Sequence, residues 1–241
     1  MKLTQEEIRY IDEYLQQSGV QFWDVRLEIL DHVATGVEEK MTHESMSFEE
    51  ALEAITISFG NEIRQGYILN KNNAKWIPAG TFSDGEGFKK LQREKQKQIG
   101  KKHTKAYFRQ LGNLLVSLKF YIELTLLILL MIVFSEYSEK WALGVGFIYL
   151  FYPFLIIIYK FIKGVIPKKS LHINMSMMGL IGWIHLLSFF PNVYEMIYDE
   201  KVSFQLFAGF LILMFPLIKA GFMRYDKVCE EYKEYYDLVT N

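Results

Sequence analysis

Asp24, Glu28, Asp31 and His32 stand within about two turns of one segment with helical periodicity, and Glu28 and His32 have the i, i+4 spacing at which two ligands can share a divalent ion. The competing reading is a solvated acidic face, with His32 at the edge of an apolar stripe and hydrogen-bonded to a neighbour. The second reading is preferred, because ion sites usually need further ligands. Glu28, Asp31 and His32 are also the candidates for docking a protein partner. A second chemical set lies in apolar surroundings: Lys119 and Glu123 one turn apart, Lys219, and His185, with Gln205 in reach on another apolar run. An ionisable group inside a membrane is a candidate for a proton or ion path. Pairing of Glu123 with Lys119 or Lys219, and interhelical hydrogen bonding by His185, are favoured over such a path. His172 and Asn174 fall near an interface and need no special role.

Other reaction chemistry finds no foothold. There is no P-loop, no Gly-rich dinucleotide fingerprint after a strand, no His-Glu-x-x-His and no paired-cysteine site. Cys229 is the single cysteine, so no intrachain disulfide forms. No catalytic residue, cofactor or enzymatic activity is expected.

The residues above are carried by four long apolar runs, at about 114–134, 141–162, 171–193 and 203–223. Each is roughly 20 residues, which at ~1.5 Å per residue crosses a hydrocarbon core of ~30 Å as a helix. Their flanks alternate. Nine Lys/Arg precede the first run: Lys89, Lys90, Arg93, Lys95, Lys97, Lys101, Lys102, Lys105 and Arg109. The first and third connections carry only Lys140 and Lys201, whereas the second holds Lys160, Lys163, Lys168 and Lys169, and the C-terminal end holds Lys219, Arg224, Lys227 and Lys233. Basic residues collect on the cytoplasmic side, so both termini are expected there. Tyr137, Trp141, Tyr194 and Tyr198 fall where outer interfacial aromatics sit. Short connections favour an up-down-up-down bundle of sequential neighbours. Gly144, Gly146 and the row Ser176, Gly179, Gly182 leave room for close helix approach, and Pro153 and Pro216 are possible kinks.

Residues 1–70 read as a separate three- or four-helix domain. Thr4 and Glu7 form a capping box before Ile8, Ile11 and Leu15, and Gly19 ends that helix. A second helix, about 22–41, has its stripe at Phe22, Val25, Ile29, Val33 and Val37, with Gly36 marking close packing rather than a hinge. Ser47 and Glu50 cap a third, which buries Phe48, Leu52, Ile55 and Phe59, and Asn61 opens a fourth containing Ile63 and Tyr67. Residues 71–87, with Pro78-Ala79-Gly80 and Asp84-Gly85-Glu86-Gly87, read as a linker, and 88–110 as a basic juxtamembrane helix. Residues 111–224 hold the spans, and the tail 225–241 continues the last one as an amphipathic helix.

Charge divides sharply along this order. Residues 1–70 have 5 basic and 14 acidic side chains, net −9, and residues 71–110 have 11 and 3, net +8. An acidic domain is a poor ligand for nucleic acid. The basic segment 89–109 is instead suited to anionic lipid headgroups, at up to ~1 kcal/mol per cation. It could equally receive the acidic domain, and exclusive choice between the two would make an electrostatic switch. Setting topology by positive charge is the simpler use of the same residues.

The stretch Val25-Arg26-Leu27-Glu28-Ile29-Leu30-Asp31-His32, followed by Phe48-Glu49-Glu50-Ala51-Leu52 and Phe59-Gly60, resembles the small N-terminal cytoplasmic helical domain of bacterial HAAS-type (hydrophobic-domain-associated signalling) membrane proteins. The resemblance covers about residues 4–65. It implies regulation or protein interaction and no defined reaction. The sequence thus describes an all-α chain, with an acidic cytoplasmic helical domain ahead of a four-helix transmembrane bundle. It is expected to act as a regulatory module, in the bacterial inner membrane that the resemblance implies, binding a protein partner or a second copy of itself. A small oligomeric transporter, or an accessory subunit of one, is the alternative.

Overall fold

A computed structural model describes residues 2–70, 75–164, 166–167 and 169–240, with side-chain surroundings described outside 65–82 and 239–240. The described residues form eight helices and one hairpin, divided into two units: 1–98 with 169–171, and 99–168 with 172–241.

The first unit begins with α1 (Gln5–Gln17), α2 (Trp23–His43) and α3 (Phe48–Ser58). Both expected capping boxes form. Thr4 Oγ1 accepts the Glu7 N–H while the Glu7 carboxylate accepts the Thr4 N–H at 2.7 Å, and Ser47 and Glu50 repeat the arrangement. Those backbone donors hold both carboxyls below their ordinary range. Ile11, Leu15, Val25, Ile29, Val33 and Val37 are buried at helical spacing, so apolar burial of one face of each helix drives the assembly. Ile8 departs from its expected role and is exposed, while Trp23 takes the buried place foreseen for Phe22. A Cβ on Gly36 would lie 2.8 Å from Ile55 Cδ1, so glycine here does permit α2 and α3 to approach closely. Arg26 Nε donates to Asp12 at 2.7 Å and ties α1 to α2.

The helix expected to open at Asn61 does not form among the described residues. Residues 63–70 and 75–83 pair as an antiparallel hairpin, β1 (Ile63–Asn70) and β2 (Lys75–Ser83), where helix and linker were expected. The pairing steps from Gly66↔Gly80 to Tyr67↔Pro78, which leaves Ala79 as an extra residue and places Pro78 at a bulge. Proline has no N–H to give a regular ladder, so a bulge is where a strand tolerates it. Asn61, expected to cap a helix, is 96% buried and staples two others. Its Nδ2 donates to Thr56 O at 2.9 Å, and its Oδ1 accepts the Phe88 N–H at 3.2 Å.

That second bond belongs to the start of α4 (Glu86–Leu115), whose first N–H groups have no helical acceptors of their own. Asp84 Oδ1 takes the Glu86 N–H at 3.1 Å, and the carboxyl is held below its usual value first by that bond. Gly85 has φ +68° and packs against the Ser18 carbonyl, where any Cβ would collide. Phe88 is fully buried and meets the Phe59 ring at 5.5 Å.

The second unit holds the rest of α4 and α5 (Leu118–Ser135), α6 (Glu139–Ile162), α7 (Leu171–Tyr198, from His172) and α8 (Phe204–Thr240). α5, α6, α7 and α8 are each long and apolar enough to cross a membrane. The basic helix stops at Leu115, and a break at Val116-Ser117 separates it from α5. α8 runs on into the C-terminal tail as one helix. α5 packs on α6 and α6 on α8. α7 meets α8 where Leu180 lies 3.1 Å from a Cβ built on Gly221, and where the Phe190 and Phe210 rings stack at 3.9 Å. Leu127, Leu180, Leu211 and Ile218 are buried at the centre, while Ile148, Leu155 and Leu213 point outward. A bundle apolar outside as well as inside is built for a hydrocarbon solvent. Of the small residues expected at helix contacts, Gly146 meets Leu211 and Met131, but Gly144, Gly179 and Gly182 have open space beside them. α6 and α8 both continue through their prolines, Pro153 and Pro216.

Replacing Asn61 with Ala would leave the Phe88 N–H buried without an acceptor. A loss of roughly 1–3 kcal/mol in unfolding free energy is expected, read by denaturant titration of the full chain in detergent; a change below ~0.3 kcal/mol would remove the staple from the account.

Candidate functional site

The α2 residues singled out by spacing go to separate uses. Asp24 accepts Ser170 Oγ–H at 2.7 Å and the Leu171 N–H at 3.0 Å. Glu28 pairs with Lys95 of α4. Asp31 and His32 are exposed. Among the described residues no three His, Cys, Asp or Glu side chains gather in a way that could hold a metal ion.

Within the basic helix, Lys95 is joined to Glu28 and Lys89 to Glu86, the latter at 2.8 Å. Lys90, Arg93, Lys97, Lys101, Lys102, Lys105 and Arg109 are exposed and form no ion pair among the described residues. One face of α4 is thus engaged by the acidic unit through Phe88 and Lys95, and most of its charge is left outward.

In the apolar helices Glu123 of α5 pairs with Lys219 of α8, both side chains about a quarter exposed. Lys219 Nζ also sits 5.5 Å from the Phe215 ring centroid. This choice neutralises Glu123 across two helices rather than within α5, and Lys119 stays exposed. His185 is exposed on α7, and Gln205 on α8. Neither has a hydrogen-bond partner among the described residues, so the expected interhelical bond of His185 is not made. The helical position of His185 places it on the outer face, beside Phe189 and Leu186.

A different polar cluster forms where α4, α7 and α8 converge. Arg224 Nη2 lies 3.2 Å from His103 Nδ1, and His103 Nε2 lies 3.2 Å from His172 Nδ1. A guanidinium can only donate, so Nδ1 of His103 accepts and its proton sits on Nε2. That N–H is then donated to His172, which accepts at Nδ1. The chain Arg224→His103→His172 has a fixed direction, and Tyr232 stacks on His172 at 4.4 Å to hold the last ring. Burial chiefly, then the charge of Arg224 and the neighbouring His172 and Lys102, lowers His103 from 6.5 to about 4. His103 is therefore neutral at physiological pH. Tyr107, one turn on, donates to Leu217 O at 3.0 Å, and burial pushes its hydroxyl up to about 12.

His103, Tyr107 and Arg224 border a cavity of about 480 Å³. His103, Thr104 and Arg224 stand at its polar part; Met175, Trp183 and Leu186 supply apolar wall. Gly179 and Gly182 line it with nothing within 4 Å of a built Cβ, so the small-residue row makes space instead of a helix contact. By sequence alone His172 is an interfacial residue without a special role and Arg224 is one of the topology-setting charges. His103 and Tyr107 at i, i+4, facing Met175, Gly179 and Gly182 at helical spacing, were the available signal; their meeting depends on tertiary packing that spacing does not encode.

No family model matches this chain, and neither a curated protein nor a solved structure matches it. Its four apolar helices fit a polytopic integral membrane protein.

Because His103 takes up its proton well below 6.5, the unfolded chain binds a proton that the folded one does not between 6.5 and about 4. Its contribution to stability is complete above pH 6.5 and is lost as pH falls towards 4. NMR of ring-labelled histidine should show His103 neutral at pH 6 with the proton on Nε2; a midpoint above 6 would contradict the relay.

Proposed function

We propose that the chain is a regulatory membrane protein whose acidic N-terminal helical unit, on the cytoplasmic side, docks a protein partner of basic surface through α2. The observation that carries this reading is the Lys95–Glu28 pair. The acidic unit already binds a basic helix at one point, and Asp31 and His32 remain exposed on the same helix. Such a surface recognises cations by charge and is weakened by salt.

The likeness of residues 25–32, 48–52 and 59–60 to HAAS-type domains supports the same regulatory role. So does the outward charge of α4, which suits an anionic leaflet. Lipid and acidic unit would then compete for the basic helix, and a partner's cations would compete for Glu28. Positive charge on alternate connections supports both termini lying inside, and the HAAS likeness supports a bacterial inner membrane.

Capture of partners by the full-length protein in lipid nanodiscs is the direct test. A stoichiometric basic partner should be retained by the wild type and lost, by at least tenfold, with the Asp31→Lys, His32→Glu double variant of unchanged helical content. Equal capture by both proteins would remove α2 as the docking surface.

A further inference from the structure

We propose that the cavity among α4, α7 and α8 is a binding site for one anionic phospholipid, with the phosphate at Arg224 and an acyl chain lying along α7. Three independent features of the second unit support this occupant.

The first is an unmet donor. The guanidinium spends Nη2 on His103 Nδ1 and its Nε–H is enclosed by protein without an acceptor, so Nη1, which has no hydrogen-bond partner among the described residues, is the edge left for a ligand. His103 cannot supply a second acceptor, because its other nitrogen donates to His172. A cationic N–H group without a partner is matched by the oxygen of a phosphate or carboxylate, which accepts it and neutralises the charge. No acidic side chain lines the cavity, and Arg224 is the cation in its wall. The charge there is positive and uncompensated.

The second is shape. The cavity continues along α7 into a trough of about 360 Å³, apolar except for His185, through the shared residues Gly182 and Leu186. The trough ends past Phe189 at Val193. From Ser176 to Val193 the helix rises roughly 26 Å, at ~1.5 Å per residue. One leaflet of hydrocarbon is roughly 15 Å deep. A groove longer than a leaflet, polar at one end and apolar beyond, fits a headgroup with its chain and is poorly matched to a compact solute.

The third is the floor of the groove. Gly179 and Gly182 are exposed and face open space, although glycine weakens a helix by ~1 kcal/mol relative to alanine. Neither has a positive φ that would require it. Their missing side chains are what keep the groove open between the polar end and the trough.

A lipid phosphate and free inorganic phosphate share the chemistry that Arg224 recognises, so the test separates them. Full-length protein, delipidated in detergent, is offered phosphatidylglycerol, phosphatidylcholine or inorganic phosphate. Occupancy is read by native mass spectrometry, and helical content and monodispersity are checked for every variant. The wild type should retain one phosphatidylglycerol at least tenfold more tightly than phosphatidylcholine, with phosphate a weak competitor. Arg224→Gln should abolish the preference, Arg224→Lys should keep part of it, and Gly182→Leu should reduce retention of both lipids at least fivefold. Equal binding of the two lipids by the wild type would overturn the proposal. So would preference unchanged in Arg224→Gln, or retention unchanged in Gly182→Leu. Phosphate competing as well as lipid would leave an anion site without an acyl groove, which also overturns it. Should Gly182→Leu fail to fold, Gly179→Leu reads the same groove one turn away.

Discussion

Hydrocarbon offers no hydrogen bonds, and most of this architecture follows from that. A segment of chain in lipid must satisfy its own backbone, which makes α5, α6, α7 and α8 helices. The same constraint disposes of their polar side chains. Ser176, Ser188 and Ser135 turn their hydroxyls back onto the carbonyls of Ile173, Ile184 and Ile132. Glu123 finds Lys219. Side chains without such an internal answer become informative, and the surplus donor on Arg224 is the clearest of them.

The acidic unit obeys the opposite solvent. Its helices are held by one buried face each, by two capping boxes and by the Asn61 staple to α4. Because water screens surface charge, its net charge does little for its fold and is free to serve recognition. The basic helix shows the same division of labour. Phe88 anchors it by burial, Lys95 pairs with Glu28, and seven cations of the segment 89–109 remain outward.

Legibility in the sequence tracked the range of the interaction responsible. Capping boxes, apolar stripes and spans are local patterns with a period, and they were read to within a few residues. The hairpin was missed because Ile63 and Tyr67 at i, i+4 imitate a helical face, while strand pairing with 75–83 is non-local. Asn61 looked like a cap because caps and staples use the same side chain. That Glu123 would find a cation was legible because lipid leaves an ion few alternatives, but the spacing put Lys119 first and the packing of α5 with α8 selects Lys219. His185 was misread as inward, since a uniformly apolar helix gives no moment by which to orient it. The His103–Arg224 cluster joins residues 121 positions apart, and no short pattern announces it.

Four spans with alternating flanks underlie every functional step above, and side-specific labelling tests them most directly. In a Cys229→Ser background, single cysteines at Tyr137, Lys201, Gln17 and Tyr235 would be exposed in intact cells to a maleimide that cannot cross membranes. Tyr137→Cys and Lys201→Cys should react at once, and Gln17→Cys and Tyr235→Cys only after permeabilisation. Labelling of position 137 and position 235 from the same side would contradict the account.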